Sequence, residues 1–215
     1  MSKSTKSVIP AKAGIQTKNG YVPELRFPEF RESGNWEAAS LGDLGTFTGG
    51  GTPSKTESEC WQGDIPWISS SDISDESISN VTITRFITKA AIKNSATKLI
   101  PGGSILLVSR VGVGKLAIIK EPVCTSQDFT NLTPSKDSPV FLGYYLKANS
   151  QELENLCQGM AIKGFTKEDI SKLSLCVPKL QEQQKIADCL SSLDELITAH
   201  TQKHQALQSY KKGLM

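Results

Sequence analysis

His200 and His204 stand four residues apart, the spacing at which one helical face can offer two imidazoles to a single metal ion. No third ligand follows at a suitable interval, so the pair reads as two polar positions on a helix seam and no metal is expected. Other clusters with catalytic potential each lack a necessary member. Six carboxylates crowd together (Glu57, Glu59, Asp64, Asp72, Asp75 and Glu76), but a magnesium-dependent nuclease needs such acids beside a lysine in an acid-x-Lys arrangement, which is missing here. They read as a solvated surface. Phe47-Thr-Gly49-Gly-Gly51 matches the loose F-x-G-x-G of methyltransferase cofactor loops, yet amino-group methylation also needs a D/N-P-P-Y/F element, absent from this sequence. Gly112-Val-Gly114-Lys115 fails as a phosphate loop, because Ser109 stands where the first glycine belongs and Leu116 where Ser or Thr belongs. A Ser-His-Asp triad is hard to assemble with both histidines on one projecting helix. The chain by itself is therefore expected to be no enzyme.

Charge offers a different chemistry. The formal net charge is +2, but Lys3, Lys6, Lys12 and Lys18 lie in an acid-free leader, and the remaining residues carry twenty basic against twenty-two acidic groups. Globally the protein makes no electrostatic case for nucleic acid. Locally it does: Arg85, Lys89, Lys93, Lys98, Arg110, Lys115 and Lys120 follow one another without an intervening acid. Such a run supplies a positive face, although a merely solvated surface would explain the same residues. The five cysteines (Cys60, Cys124, Cys157, Cys176, Cys189) are odd in number, widely spaced and without a C-x-x-C pair, so they read as reduced, mostly buried small apolar residues. No run approaches 18 apolar residues and the N-terminus lacks a signal-peptide apolar core; the expected compartment is the cytoplasm, with no membrane contact.

Residues 1–20 are polar and Lys-rich and predict a disordered leader. From about Tyr21 short apolar segments alternate with turn residues, which argues for a mixed sheet: an opening around Trp36–Leu44, the Gly49–Pro53 loop, and a strand Ile65–Ser69. Ser104–Ser109 and Lys115–Lys120 are β-branched-rich runs flanking Arg110-Val-Gly-Val-Gly114, the pattern of a hairpin with Arg110 and Lys115 at its tip. Helices are predicted over Phe141–Ala148 and Gln151–Met160, then a capping box at Thr166–Asp169 opens a short helix to about residue 172, before a strand Leu173–Val177. Ile186, Leu190, Leu193, Ile197, His200, His204, Leu207, Lys211 and Leu214 then recur at alternating steps of four and three, a coiled-coil seam. A helix from Glu182 to Lys212 would extend about 45 Å, too far to pack along its whole length on the domain it leaves, so its stripe requires a second helix. The competing reading is an amphipathic helix folded back on its own domain. The expected class is α+β: residues 1–20 a leader, 21–180 a mixed-sheet domain, and 181–215 a long coiled-coil helix.

Laid out in this order, the chain resembles the specificity subunit of type I restriction-modification systems, in a half-length form with one target-recognition domain and one conserved helical spacer. The resemblance is carried by Pro23-Glu-Leu-Arg-Phe-Pro-Glu-Phe30 with Trp36, Leu41-Gly42-Asp43, Gly50-Gly-Thr-Pro-Ser54 and Gly63-Asp-Ile-Pro-Trp67. It continues through Pro101-Gly-Gly-Ser-Ile-Leu-Leu107 with Val113-Gly-Lys115, and Val177-Pro178 leading into Glu182-Gln-Gln-Lys-Ile186. It implies a protein that reads one half of a split double-stranded DNA target without doing chemistry. S-adenosylmethionine, ATP and magnesium would belong to the adenine-N6 methyltransferase and restriction subunits that it docks. It also implies that antiparallel helices set the gap between half-sites, about 13 base pairs for a helix of about 45 Å. With one recognition domain and one helix, the chain is expected to pair with a second copy through the seam, the alternative being a truncated specificity fragment without independent DNA binding. Reading residues must then come from local physics: Arg110 and Lys115 at the hairpin tip, the polar runs Thr52-Pro-Ser54-Lys55 and Ser69-Ser70-Ser71, Gln127 for bidentate contact with adenine, and Lys163 with Gly164 for the backbone. Pro178, Glu182, Gln183 and Gln184 mark the junction between reader and spacer. The rival readings are a stand-alone enzyme and a coiled-coil adaptor that never touches DNA.

Overall fold

The computed structural model describes residues 20–157 and 164–214, together with the backbone of residues 8–9 and 14–17. Three small sheets enclose three apolar clusters. In the first, β4 (Glu37–Ser40) pairs antiparallel with β13 (Ser174–Val177), which also takes β1 (Val8–Ile9) in parallel. In the second, β5 (Gly45–Gly49), β12 (Thr130–Pro134), β9 (Ile105–Leu107) and β10 (Leu116–Ile118) are neighbours in that order and all antiparallel. In the third, β6 (Ile65–Ile68) lies parallel to β11 (Val123–Thr125), flanked by β7 (Phe86–Ile87) and β8 (Leu99–Ile100). A separate ladder joins β2 (Gly14–Thr17) to β3 (Gly20–Pro23). The sheets are mixed, as the alternation of short apolar runs implied. β1, β2 and Gly20 of β3 fall within residues 1–20, which composition marks as a disordered leader; the rest of that leader lies outside the described residues.

The continuous run Ile-Leu-Leu-Val at 105–108 becomes a strand buried on both faces. Ile105 and Leu107 point into a core with Tyr21, Trp36, Leu132 and Phe141, while Leu106 and Val108 point into another with Ile68, Ile100 and Phe129. A two-residue period places alternate side chains on opposite faces, so a strand apolar at every position needs two cores. The neighbouring β6 and β11 obey the same rule: Ile68 and Val123 join the second core, Trp67 and Cys124 a third with Ile87 and Ala91. Of the five cysteines, only Cys124 and Cys176 are buried. Cys60 and Cys157 are half-buried, and Cys189 is exposed on a helix, where the expectation of burial fails.

The helices sit where capping residues open them. Ser40 and Asp43 form a capping box on the short α1 (Leu41–Leu44), which follows β4 within the opening apolar segment. Thr88 caps α2 (Lys89–Lys93) and Ser138 caps α3 (Pro139–Ala148). α4 (Ser150–Asn155) is shorter than the predicted Gln151–Met160, whose last three residues lie outside the described set. The Thr166–Asp169 box opens α5 (Lys167–Ser171) as predicted. Finally α6 runs unbroken over 34 residues, Leu180–Gly213, or about 51 Å at 1.5 Å per residue. Its first turns bury Glu182, Gln183 and Ala187 against the domain, while every residue from Glu195 to Leu214 is exposed. Among the described residues, no helix is long and apolar enough to cross a membrane.

Candidate nucleic-acid interface

The loop after β5 is pinned by two glycines. A Cβ on Gly50 would stand 2.0 Å from the Ser126 carbonyl oxygen, and one on Gly51 would stand 2.5 Å from the backbone at Ala96 and Thr97. Gly51 N–H donates to the Thr125 carbonyl at 2.8 Å. Close packing therefore brings Thr52 against Gln127, whose side-chain oxygen accepts a hydrogen bond from the Thr52 hydroxyl. The same loop receives two indoles: Trp67 Nε1–H donates to the Gly51 carbonyl at 2.9 Å and Trp61 Nε1–H to the Ser54 carbonyl at 3.0 Å. The rings meet edge to face at 5.1 Å. Arg85, just before β7 and accepting from Trp67 N–H at 2.9 Å through its carbonyl, lays its guanidinium 4.7 Å from that indole's centre. It donates to the Ser69 hydroxyl at 2.6 Å and pairs with the Asp72 carboxylate. Thr52, Lys55, Trp61, Arg85 and Gln127 line an open recess of about 500 Å³.

A second recess of about 440 Å³ shares Gln127 and Asp128 with the first and extends to Arg110, Val111 and Thr166. The turn Ser126–Asp128 joins the two, because the Asp128 carbonyl accepts from both Ser109 N–H (2.8 Å) and Arg110 N–H (3.2 Å), fastening the hairpin base to it. The predicted hairpin is present, with Leu107 opposite Leu116. Its tip holds Val111 at φ 37° beside Gly112 (98°) and Gly114 (92°). A β-branched residue rarely adopts that conformation, and such outliers concentrate where shape serves binding. Val111 is also 64% exposed.

Of the residues nominated from sequence, Thr52, Lys55, Ser69 and Gln127 line the first recess and Arg110 and Gln127 the second. Ser70 and Ser71 lie on the adjoining 3-10 turn, where the Ser69 and Ser71 hydroxyls are 2.8 Å apart. Ser54 is exposed at the rim, with its hydroxyl 2.9 Å from that of Thr56. Lys115 does not join them. Its ammonium is 3.2 Å from Asp75, which also draws Lys147 to 3.8 Å, so the hairpin tip presents Arg110 alone. Lys163 lies outside the described residues. Trp61, Trp67, Arg85, Ser126 and Asp128 also line the first recess, beyond the residues to which the sequence points. Arg85 had a signal, membership of the acid-free run, whereas its stacking on Trp67 depends on the β6–β7 pairing. The acid-free run also proves less positive in space than in sequence, since Asp72 and Asp75 fold back onto Arg85 and Lys115. Guanidinium forks, an amide with both donor and acceptor, and aromatic faces are the groups that contact phosphates and base edges and stack on bases.

The junction with α6 is built from motifs far apart in sequence. Glu182 is 1% exposed and its carboxylate takes Arg26 by a fork, from Nε at 2.8 Å and Nη2 at 2.6 Å, while Trp36 Nε1–H donates to it at 3.1 Å. Gln183 is equally buried; its oxygen accepts from Ser138 N–H (2.9 Å) and its nitrogen donates to Asp137 and to the Pro178 carbonyl. About three turns further along α6, Tyr144 donates to Asp194 at 2.7 Å. Burial, and then the Asp194 carboxylate it faces, pushes the Tyr144 phenol up to about 12. A phenol whose folded value lies above its unfolded one stabilises fully below about pH 10, and that contribution disappears as pH rises toward 12. Denaturant melts should therefore show stability falling across pH 10–12, with a shallower fall in Tyr144→Phe. Of the predicted seam, Ile186 and Leu190 rest against the domain beside Trp36, Phe141 and Tyr144 rather than standing free. Leu193 (49%), Ile197 (63%) and Leu207 (57%) are exposed with His200 and His204, and Leu196 (57%) and Tyr210 (68%) widen the stripe.

The chain is similar to proteins of one family. The family model described as the type I restriction modification DNA specificity domain matches residues 33–209. The specificity subunit of the type I restriction enzyme MjaIX from Methanocaldococcus jannaschii is 34% identical over 178 residues, 81% of this chain and 41% of that protein. The EcoR124I/EcoR124II specificity subunit of Escherichia coli is 31% identical over 181 residues, 80% of this chain and 44% of that protein. The crystal structure of the HsdS subunit from Thermoanaerobacter tengcongensis shares the fold, with a TM-score of 0.59 at 19% identity over 82% of this chain and 40% of that one. The chain thus spans less than half the length of each of these proteins. With a family match that runs from the start of the mixed-sheet domain's central strands through most of the projecting helix, this chain belongs to the type I restriction modification DNA specificity domain family.

Proposed function

We propose that this chain is the DNA-reading subunit of a type I restriction-modification complex, binding one half of a split duplex target and performing no chemistry itself. The observation that carries this reading is the joined surface on which Thr52, Lys55, Arg85, Arg110 and Gln127 meet from four separate segments. Arg110 and Lys55 are exposed and suit phosphate or guanine contact, while Gln127, held by Thr52, offers its amide to a base edge. Arg85 sits deeper, its guanidinium oriented by Trp67, Ser69 and Asp72 before any ligand arrives. Methyltransferase subunits dock near the reader–spacer junction, the restriction subunit joins that core, and the exposed helix stripe pairs with a second copy of the chain. S-adenosylmethionine, ATP and magnesium are held by those other subunits, in the cytoplasm.

A methylome of cells expressing the chain with its methyltransferase subunit identifies the target, and duplex binding by the assembled complex then tests the surface. Arg110→Ala and Arg85→Ala should each weaken specific binding about tenfold, as expected for loss of a charge-assisted contact of about 1–3 kcal/mol. Where the lost contact is to phosphate, the slope of log affinity against log salt should fall by about one. Affinity, target motif and salt slope all unchanged in Lys55→Ala, Arg85→Ala and Arg110→Ala would overturn this surface as the reader.

A further inference from the structure

We propose that two copies of the chain assemble a transition-metal site from His200 and His204 at the centre of an antiparallel helix pair, a site that neither copy holds alone. The inference rests on the pairing reading above and adds a ligand to it. Among the described residues of one chain, no group of three or more His, Cys, Asp or Glu side chains could hold a metal ion. The only two histidines of the sequence, however, lie on the exposed stripe of α6, one turn apart on one face.

Charge selects the direction of pairing. Beyond the domain, the acids of α6 are Asp188, Asp194 and Glu195 in its near half, and its far half carries Lys203, Lys211 and Lys212 with no acid. Parallel pairing would set acids against acids and lysines against lysines, whereas antiparallel pairing sets each against the other. Seam spacing then selects the register, because antiparallel layers match the two kinds of seam position and can slip only by whole heptads. One alignment places Leu190 opposite the partner's Leu214, Leu193 opposite Lys211, and Ile197 opposite Leu207, with Leu196 flanking Tyr210. Slipping one heptad either way leaves a single apolar-on-apolar layer and sets Ile197 against His200, or His204 against Leu207. The favoured alignment covers the exposed Leu193, Leu196, Ile197, Leu207, Tyr210 and Leu214 together. It also brings Leu214 of the second copy to the apolar hollow of about 210 Å³ between α3 and α6, lined by Trp36, Tyr144 and Leu190.

In that register both central layers are histidine on histidine, so four imidazoles converge at the two-fold axis between Ile197–Leu207 layers. Polar rings held in an apolar seam need partners. Four neutral imidazole nitrogens at about 2.0–2.1 Å make a closed tetrahedral set suited to zinc, and to cobalt or nickel as probes. A set with no open position is structural: it fixes register and strengthens the pair.

The test uses the full chain without a histidine tag, so that these are the only imidazoles present. Cobalt titration should give the strong visible absorption of a tetrahedral site at one ion per two chains, and either His200→Leu or His204→Leu should abolish it. Sedimentation should show zinc tightening the dimer about tenfold or more, reversed by chelator, in the parent chain but not in the double leucine variant. Both positions are exposed on the projecting helix, so the variants retain the folded domain. A dimer that takes up no stoichiometric cobalt would overturn the metal site and leave the pairing standing. One weakly absorbing ion per chain would place the histidines on separate monomers and overturn the dyad. No dimer at tens of micromolar, with or without zinc, would overturn the pairing beneath it.

Discussion

Glu182→Ala is expected to destabilise the protein by about 3–5 kcal/mol, the range for removing one partner of a buried ion pair, and to lower its melting temperature by about 10 °C. The substitution leaves the Arg26 guanidinium, whose side chain is 11% exposed, without its carboxylate, and orphans the Trp36 indole N–H at the same time. Arg26 comes from the Pro23–Phe30 segment and Glu182 from the first turn of α6, so the pair joins the two ends of the domain where the spacer begins. Glu182→Gln keeps an acceptor and should lose less. A double change, Arg26→Met with Glu182→Leu, should recover much of the loss, because apolar groups of similar volume need no desolvation compensation. Chemical denaturation placing Glu182→Ala within about 0.5 kcal/mol of the parent would show that the clamp does not hold the helix root.

Gly50→Ala should damage both stability and recognition. The added Cβ meets the Ser126 carbonyl oxygen at 2.0 Å and the Thr125 hydroxyl at 2.4 Å, and a backbone oxygen inside a two-sheet contact cannot swing aside as a long side chain would. Moving the loop away costs about 3 kcal/mol or more, the upper end of overpacking effects. It also draws Thr52 and Lys55 from Gln127, so affinity for the cognate duplex should fall by about tenfold or more. Gly49→Ala is the control, since its Cβ would meet nothing within 4 Å and should change neither quantity appreciably. Equal behaviour of the two variants would show that the loop does not depend on this close approach.

The contrast between these glycines explains part of what the sequence could say. Gly49 and Gly50 are indistinguishable as letters, and only the arrival of Ser126 from another sheet makes one of them indispensable. Trp67 and Arg85 likewise meet because β6 and β7 pair, and Lys115, which sequence sends to the hairpin tip beside Arg110, is drawn aside by Asp75 from a loop forty residues earlier. Glu182 reads in sequence as a marker of the junction between reader and spacer; its burial depends on Arg26 and Trp36 folding over it.

What sequence alone determined about this protein is what depends on neighbours within a few residues: the 105–118 hairpin from two β-branched runs around glycines, the α5 capping box, and the seam of α6 from steps of three and four. These follow from local periodicity and backbone chemistry, which any window of the chain displays. The tertiary structure decided which polar residues share a surface, where the seam leaves the domain and becomes free, and which charges are already neutralised. Those outcomes belong to pairs separated by up to 156 residues, such as Arg26 and Glu182, whose contact no local pattern encodes and only the packing of three sheets and a helix brings about.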